Sequence, residues 1–343
     1  MNGPFDVVVS LDGSGDYISI QDAIDNCPLI NEAGYSIYIS EGIYSEKIHI
    51  NKDNIHIMGA GINKTIITAA TASGNKLSKN MTYGTYGSRT VYVNAKQLTA
   101  CDLTICNDFN YIENQSKPID DPSRINDPQA VALLAGLQAD KLVLKRVNLS
   151  SFQDTLFLRA GRSVLLDCEI AGNIDFIFGQ GQALFLNCEI RARYHAPQTD
   201  DWGYLCAPST DISHPFGLVF KHCRLTKESG VPARSYALGR PWHPTTDFID
   251  GSYADPNAIG QAVFIECEMD DHIYGWDKMH GKDKDGERIY FYPQDSRFFE
   301  YKSVGLGASA GGYRPQLSHE QVIDFNDENV LSGWLPDELI GKN

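Results

Sequence analysis

The sequence predicts an all-β fold, a right-handed parallel β-helix with a short N-terminal helix and long loops on one face. Two observations carry this prediction. An internal repeat recurs at spacings of about 21 residues, twice that length, or 21 residues with an inserted loop, and helical periodicity is scarce. Repeats too short to hold a helix build solenoids, in which every coil adds a few strands. Because no linker interrupts the chain, we expect a single domain over residues 1–343.

The individual elements follow from local patterns. A helix is predicted over residues 19–27, where Ile20, Ala23 and Ile24 fall on one helical face. Elsewhere, short apolar and β-branched runs bounded by Gly, Asn and Asp are typical of strands. Clear examples are residues 36–40, 55–58, 90–93 and 142–144.

The repeat consists of six apolar hexapeptides that carry Cys or Val at the fourth position. Those fourth residues are separated by 46, 21, 20, 35 and 44 positions, which is one coil, two coils, or one coil with an inserted loop. We expect them to form one inward-facing ladder of Cys101, Val147, Cys168, Cys188, Cys223 and Cys267.

Long insertions interrupt the repeat at residues 107–128, 191–217 and 226–260. In solenoids such insertions gather on one face, which is often the binding face. The charge-rich stretch 270–288 is instead interpreted as a solvated loop.

Composition excludes several classes of function. The chain has 29 basic and 44 acidic residues, a net charge of −15, which argues against nucleic acid or an anionic membrane surface as partner. An acidic substrate could bind only where basic residues locally outweigh this negative charge. The longest apolar run, residues 130–137, is too short to span a membrane. Residues 1–10 lack the features of a signal peptide, so we expect an intracellular protein or the mature form of an exported one.

The repeat brings two carboxylates together. Asp154 and Asp175 are 21 residues apart, and Gln129 and Gln153 are 24 apart, each about one coil. Neighbouring parallel strands lie about 4.8 Å apart, so one of two stacked carboxylates should hold its proton unless a cation intervenes. That arrangement suits a site needing one carboxylate and one carboxylic acid. The alternatives are a solvated Asn/Asp ladder and a calcium site.

A basic partner is found in the pentapeptide at residues 238–242. Arg240 can form a two-pronged ion pair that keeps a carboxylate ionised, and Trp242 offers a flat apolar face to a sugar ring. Taken alone, this segment is more often a turn than a site.

Together these segments resemble the pectin methylesterases, a carbohydrate esterase family with the right-handed β-helix fold. The motifs stand in the family's order as GIYSE at 42–46, QAVAL at 129–133, QDTL at 153–156, DFIFG at 175–179 and LGRPW at 238–242. The resemblance implies hydrolysis of the methyl esters of galacturonate units in pectin, without a metal or organic cofactor. The long insertions resemble those of bacterial members more than those of plant members.

The resemblance also implies roles for single residues. Asp175 resembles the nucleophile, and Asp154 resembles the acid that protonates departing methanol and then activates water. Gln153 and Gln129 resemble donors to the oxyanion, and Arg240 the cation that orients Asp175. Residues expected to contact sugars are Trp242, Phe178, Thr85 and Phe157, the last replacing a tyrosine common in the family.

For the expected partner, methyl-esterified homogalacturonan, the resemblance implies a secreted or periplasmic enzyme, and we expect a monomer. In an exported protein, Cys168 and Cys188 are expected to form a disulfide. They occupy the same position on adjacent coils, and a separation of about 4.8 Å lies within the Cα range of disulfides.

Two further functions stay open at this point. One is a same-fold esterase or thioesterase that acts on another acyl substrate, and the other is a non-catalytic, polysaccharide-binding β-helix. The GxSxG match at residues 307–311 is interpreted as a loop, because Ser309 lacks the strand–turn–helix context of a nucleophile elbow.

Overall fold

The computed structural model describes residues 5–29, 31–195, 202–309, 312–337 and 339 of the chain. In this part of the chain, strands pair in parallel with the strand one coil away, with only local antiparallel hairpins added. The predicted parallel β-helix is therefore confirmed. A full coil contributes three strands, and these stack into three columns along the axis of the solenoid.

The first column is a path of ten parallel strands. Its members are β1 (Val7–Val9), β2 (Tyr35–Ile39), β5 (Ile55–Gly59), β10 (Thr99–Asn107), β12 (Leu142–Ser150), β14 (Arg162–Leu166), β17 (Gln182–Leu186), β20 (Leu218–Lys221), β25 (Gln261–Ile265) and β30 (Arg297–Tyr301).

The second column belongs to the same hydrogen-bonded sheet, because the long strands β10 and β12 bend and continue into it. Its other members are β3 (Gly42–Ser45), β6 (Thr65–Ala69), β15 (Glu169–Gly172), β18 (Glu189–Ala192), β21 (Arg224–Lys227) and β26 (Glu268–Met269).

The third column is a separate sheet of eight strands that will carry the candidate site. In spatial order they are β4 (Ile48–Ile50), β9 (Val91–Val93), β11 (Leu133–Ala135), β13 (Leu156–Leu158), β16 (Ile174–Gly179), β19 (Gly203–Pro208), β22 (Tyr236–Gly239) and β27 (Ile273–Trp276).

Three antiparallel hairpins and a few short helices decorate the coils. The hairpins pair β7 (Lys76–Ser78) with β8 (Met81–Thr82), β23 (Thr245–Phe248) with β24 (Gly251–Ala254), and β28 (Met279–Lys282) with β29 (Arg288–Phe291). The helices are α1 (Ile20–Asp25), α2 (Gly84–Ser88), α3 (Tyr111–Ser116), α4 (His319–Ile323) and α5 (Asp327–Val330), with a 3-10 turn at Pro293–Asp295.

The predicted N-terminal helix is confirmed as α1. The side chain of Ser19 caps it by accepting a hydrogen bond from the backbone N–H of Asp22. Its three predicted core residues, Ile20, Ala23 and Ile24, are fully buried against the first coils.

A left-handed residue marks the bend between the first and second columns. These residues are Asp102, Arg146, Asp167, Asn187, His222 and Glu266, with φ between 51° and 58°. The residue that follows each of them enters the core, which explains the Cys and Val repeat. Strand pairing confirms the ladder from Val147 through Cys168, Cys188 and Cys223 to Cys267.

The first member of the predicted ladder was wrong. Cys101 pairs with Lys145, and it is Leu103 that pairs with Val147. The reason is the bend: the left-handed residue is Asp102, so the inward position after it belongs to Leu103. The apolar hexapeptide at Leu98 is therefore two residues out of register with the others.

The expected disulfide between Cys168 and Cys188 is not present, and both residues are buried free thiols. Each donates to a backbone carbonyl of the preceding coil, Cys168 to Leu144 and Cys188 to Leu165, both at 3.4 Å. The physical reason is that equivalent side chains on parallel coils point the same way, into the core. The two thiols therefore lie side by side in the ladder, without a sulfur–sulfur bond between them.

Aromatic stacking continues the core along the axis. The rings of Phe185, Phe220 and Phe264 stack with centroids 4.4 Å apart at both steps. A second apolar layer covers the outer face of the first column, where Val330 and Leu331 of the C-terminal segment are fully buried. Among the described residues, the chain contains no helix with the length and apolar character of a membrane span.

Candidate active site

One cavity of about 420 Å³ lies on the outer face of the third column. All nine residues that the sequence singled out for catalysis or sugar contact line it: Thr85, Gln129, Gln153, Asp154, Phe157, Asp175, Phe178, Arg240 and Trp242. Residues that lie up to 157 positions apart in the sequence, from Thr85 to Trp242, are thus brought together by the coiling of the chain.

The two aspartates occupy the same position on adjacent coils. Leu156 pairs with Ile177, so Asp154 and Asp175, each two residues earlier, stack as the 21-residue spacing predicts. Adjacent strands are about 4.8 Å apart, and the backbone N–H of Asp154 donates to the carbonyl of Ile174.

Both aspartates are left-handed, with φ of 69° at Asp154 and 50° at Asp175. The left-handed region costs a non-glycine residue about 1–2 kcal/mol, although Asp tolerates it better than most. Two such residues side by side place both carboxyl groups on the outer face, Asp154 just before β13 and Asp175 at the start of β16. Such backbone strain is concentrated at functional sites.

Arg240 forms a two-pronged ion pair with Asp175. Its Nε donates to Oδ1 at 2.8 Å and its Nη2 donates to Oδ2 at 2.6 Å. The guanidinium also lies 3.8 Å from the ring centroid of Tyr204, a cation–π contact that helps to hold it in place. Because both side chains of the ion pair are mostly buried, the fork holds Asp175 in a fixed orientation.

The glycine before Arg240 is required by close packing. A Cβ on Gly239 would lie 2.6 Å from the Sγ of Cys206 and 2.8 Å from its carbonyl oxygen. Any larger residue would push β22 away from β19 and move Arg240 off Asp175. This contact explains the Gly-Arg order of the motif.

Asp154 has a different electrostatic environment. Burial raises the pKa of its carboxyl well above the usual range, the negative charge of Asp175 adds to the effect, and Arg240 opposes it. For Arg240, burial would lower the pKa, but the charge and hydrogen bonds of Asp175 outweigh it and raise the pKa. The site therefore holds one carboxylic acid next to one ion-paired carboxylate.

Two amide side chains face the cavity. The backbone N–H of Ala130 donates to the carbonyl of Gln153, as that of Asp154 does to Ile174, so Gln129 lies beside Gln153 on the adjacent coil. The Oε1 of Gln129 is buried and has no hydrogen-bond partner among the described residues. Both amides line the cavity beside the aspartates, where their N–H groups can reach a ligand oxygen.

Aromatic rings form one wall of the cavity. Phe157 and Phe178 stack with centroids 4.2 Å apart, and Trp242 meets Phe178 edge-on at 5.6 Å. Tyr86 packs on the other side of Phe157 at 5.3 Å. Flat apolar faces beside polar groups are typical of sugar-binding clefts.

Several residues of the cavity were missed by sequence reasoning: Tyr86, Ala207, Pro244, Thr245 and Met279. The interpretation of residues 270–288 as a solvated loop was wrong in part, since it contains β27 and carries Met279 to the cavity. Tyr86 could have been found as the neighbour of Thr85, but no motif signals Met279.

The insertions contribute unequally. Residues 226–260 reach the cavity through Arg240 and Trp242, whereas no residue of 107–128, all of which are described, lines it. Ser309 lies in a turn and donates to the carbonyl of Leu306, away from the cavity lining. Gly311, the last residue of its GxSxG match, lies outside the described residues.

Comparison with known proteins places these features in a family. The sequence model of the pectinesterase family matches residues 6–333. Pectinesterase A of Dickeya dadantii (strain 3937) is 48% identical over 321 residues, covering 93% of this chain and 87% of that protein. Pectinesterase 2 of Citrus sinensis is 31% identical over 344 residues, covering 96% of this chain and 58% of that protein.

Solved structures give the same result for the fold. The pectin methylesterase from Erwinia chrysanthemi superposes with a TM-score of 0.94 at 47% identity, covering 97% of this chain and 99% of that one. The pectin methylesterase from Yersinia enterocolitica superposes with a TM-score of 0.90 at 48% identity, covering 93% and 100%. Given this agreement in sequence, fold and ordered motifs, the chain belongs to the pectinesterase family.

Proposed function

We propose that the protein hydrolyses methyl esters of galacturonate units in pectin, with Asp175 as nucleophile and Asp154 as general acid and base. The observation that carries this proposal is the unequal pair of stacked carboxyl groups. Asp175 is forked by Arg240, while Asp154 has a raised pKa. A similar pectin methylesterase, 48% identical to this chain, has been solved in complex with a hexasaccharide.

In the first step, a carboxylate oxygen of Asp175 attacks the carbonyl carbon of the ester. The carbonyl oxygen becomes an oxyanion, which accepts hydrogen bonds from the amide N–H groups of Gln153 and Gln129. Collapse of this intermediate breaks the bond to the methoxy oxygen, which takes the proton of Asp154 and leaves as methanol. The galacturonyl group is then joined to Asp175 as an anhydride.

In the second step, Asp154 is a carboxylate and accepts a proton from water. The resulting hydroxide attacks the galacturonyl carbon and the bond to Asp175 breaks, which releases galacturonic acid; its proton then passes to solvent. Asp154 is protonated again and Asp175 is again a carboxylate, so the cycle balances.

Arg240 has two functions in this scheme. Its fork pairs the carboxylate of Asp175 with a positive charge, while Asp154 next to it carries the proton. It also fixes the direction of the attacking oxygen, because a planar guanidinium binds both carboxylate oxygens at once.

Methanol release from methyl-esterified pectin tests the proposal. We expect the wild type to release methanol and Asp175→Ala to release none while keeping its fold. A protein that binds pectin without releasing methanol would instead support the non-catalytic polysaccharide-binding alternative. Hydrolysis of an acyl thioester but not of pectin would support the thioesterase alternative.

Four further statements belong to the same proposal. The chain forms a single domain, acts as a monomer, works in a secreted or periplasmic location, and needs no metal or organic cofactor. The last follows from a mechanism in which protein side chains supply the nucleophile, the acid and the oxyanion donors. Methanol release that is lost in EDTA and restored by calcium or zinc would contradict it.

A further inference from the structure

A buried histidine lies in the middle of a segment that otherwise lines the catalytic cavity. Within residues 242–245, Trp242, Pro244 and Thr245 line the cavity, whereas His243 does not. Its side chain is only 9% exposed, so it is packed away from the cavity. The proposed mechanism gives this histidine no role, although its two chain neighbours are both part of the cavity wall.

His243 contacts the two antiparallel hairpins that follow it in the chain. Its ring stacks on that of Phe291 in β29, with centroids 3.5 Å apart and planes 13° from parallel. Its Nδ1 lies 2.7 Å from the carbonyl oxygen of Asp255, the residue after β24. Because a carbonyl can only accept, Nδ1 carries the hydrogen and donates it. One side chain thus joins both hairpins.

The imidazole is buried in its neutral form. Burial lowers the pKa of His243, although the hydrogen bond to the carbonyl of Asp255 and the charge of that residue oppose the shift. A neutral ring can be stacked in the interior without the cost of removing a charge from water. The stack on Phe291 is therefore a stable contact at neutral pH.

Strand pairing carries the Phe291 contact to the catalytic cavity. Met279 in β28 is the direct cross-strand partner of Phe291, and it lines the cavity. Directly opposed side chains lie on the same face of a hairpin, with Cβ atoms about 4.5–5.5 Å apart. The two hairpins also touch: a Cβ on Gly281 would lie 3.0 Å from Ala254 and 3.0 Å from the ring of Phe291. The position of Met279 therefore depends on the stack.

The hydrogen bond to Asp255 acts on the other hairpin. Thr245, which lines the cavity, pairs with Ala254 at the base of the β23–β24 hairpin. The backbone N–H of Asp255 donates to the carbonyl of Pro244 at 3.0 Å, and its own carbonyl accepts from His243. The base of this hairpin is thus closed on the histidine.

We propose that His243 is a positioning residue that fixes the wall of the catalytic cavity formed by Pro244, Thr245 and Met279. It contacts no reacting atom, and it acts by holding both hairpins against the segment that carries Trp242. This inference rests on the proposed function, because the wall matters to catalysis only if the substrate occupies that cavity.

The proposal predicts an effect on binding and not on the chemical step. Arg240 directly follows β22 and Asp175 lies in β16, so their fork is built on the coils and not on the hairpins. Loss of His243 should therefore raise KM for methyl-esterified pectin and leave kcat nearly unchanged.

Steady-state kinetics of four variants test this prediction. His243→Ala should raise KM about tenfold and change kcat less than about twofold, because a stacked ring pair and a hydrogen bond are both lost. Phe291→Ala should act in the same direction. The double variant should be no worse than the more affected single variant, since the two side chains act through one contact. His243→Phe keeps the stack and should recover most of the lost KM.

The methyl group of Met279 gives a measurement that needs no turnover. In protein labelled with methyl-¹³C methionine, its resonance is assigned with Met279→Leu and should shift in His243→Ala, because the opposing ring of Phe291 moves. His280→Ala is the matched control for kinetics. It removes an exposed histidine next to Met279 that does not line the cavity, and KM should stay unchanged. Circular dichroism verifies that each variant is folded.

The positioning role is overturned if folded His243→Ala keeps the KM of the wild type or leaves the Met279 resonance in place. It is also overturned if the KM effects of His243→Ala and Phe291→Ala multiply in the double variant, because the two residues would then act separately. Failure of the proposed function would look different. A wild type that releases no methanol would refute catalysis, while a shifted Met279 resonance in His243→Ala would still show that His243 positions the wall.

Discussion

Arg240 donates hydrogen bonds to both carboxylate oxygens of Asp175, at 2.8 and 2.6 Å. Asp154, one coil away, has no such cationic partner among the described residues. The same repeat that stacks the two aspartates thus puts them in unequal environments. One is neutralised by a cation, and the other is buried beside a negative charge, so its pKa rises. This difference suits Asp175 to act as the nucleophile and Asp154 as the acid.

The first prediction separates the two aspartates by kinetics. Asp175→Asn should abolish methanol release, because an amide cannot form the anhydride. Asp154→Asn should lower kcat by about 10²–10⁴-fold and leave a residual rate, since it removes only proton transfer. Ser309→Ala is the control and should keep normal turnover. Near-normal activity of Asp175→Asn would show that the nucleophile lies elsewhere.

The second prediction concerns the pH dependence of kcat/KM. The free enzyme is active with Asp154 protonated and Asp175 ionised. Because the pKa of Asp154 is raised, activity should fall at higher pH, as that carboxyl loses its proton. Rate profiles of the wild type and of the residual activity of Asp154→Asn test this. The falling limb should vanish in the variant, and identical profiles would remove Asp154 from the mechanism.

The third prediction is that Asp154→Asn stabilises the folded protein at neutral pH. At a pH above the usual carboxyl range, about 4, the unfolded chain releases the proton of Asp154 while the folded protein keeps it. The free energy of unfolding of the wild type should therefore fall as pH rises, at up to about 1.4 kcal/mol per pH unit, until the folded pKa is reached. Asp154→Asn should escape this loss.

Urea unfolding of both proteins at pH 4 and pH 7 measures this effect. The stability advantage of Asp154→Asn should be larger at pH 7. Asp102 provides a control of opposite sign, because hydrogen bonds from Arg146 lower its pKa. Asp102→Asn should therefore be destabilising at pH 7 and less so at acidic pH. An Asp154→Asn advantage that does not grow with pH would contradict the buried-acid assignment.

The fold could be predicted from the sequence because the core positions of a β-helix recur once in every coil. The ladder from Val147 to Cys267 is confirmed for this reason. The error at Cys101 arose because apolar residues occur on both sides of the bend. Only the left-handed conformation of Asp102 decides which of them turns inward, and no residue type marks that conformation uniquely.

The candidate site was predictable to the extent that it lies on the coils themselves. Asp154 and Asp175 follow from one spacing, whereas Thr245 and Met279 reach the cavity from hairpins. Hairpin direction depends on tertiary packing, such as the stacking of His243 on Phe291 with centroids 3.5 Å apart. Contacts of this kind leave no periodic signal in the sequence.

The fourth prediction concerns the shape of the cation. Arg240→Lys keeps the positive charge but cannot form a fork, so Asp175 loses one charge-assisted hydrogen bond and its fixed orientation. Loss of such a bond, about 1.5–3 kcal/mol, should reduce kcat/KM by about 10- to 100-fold. Arg146→Lys is a matched control, because Arg146 makes the same two-pronged pair with Asp102, which does not line the cavity. Equal kinetics for both lysine variants and the wild type would show that the fork is dispensable.

The last prediction concerns the cysteine ladder. Each thiol of Cys168 and Cys188 is buried and donates to a backbone carbonyl, so the core is complete without a sulfur–sulfur bond. We expect the melting temperature to be the same with and without reductant, and both thiols to be alkylated once the protein is unfolded without reductant. Cys188→Ala should destabilise the protein by about 1–2 kcal/mol, because it opens a small gap in a packed stack. Peptide mapping of protein produced in an oxidising compartment is the decisive measurement. A Cys168–Cys188 disulfide in that map would show that the strands can rotate their side chains towards each other, and that the parallel orientation does not prevent the bond.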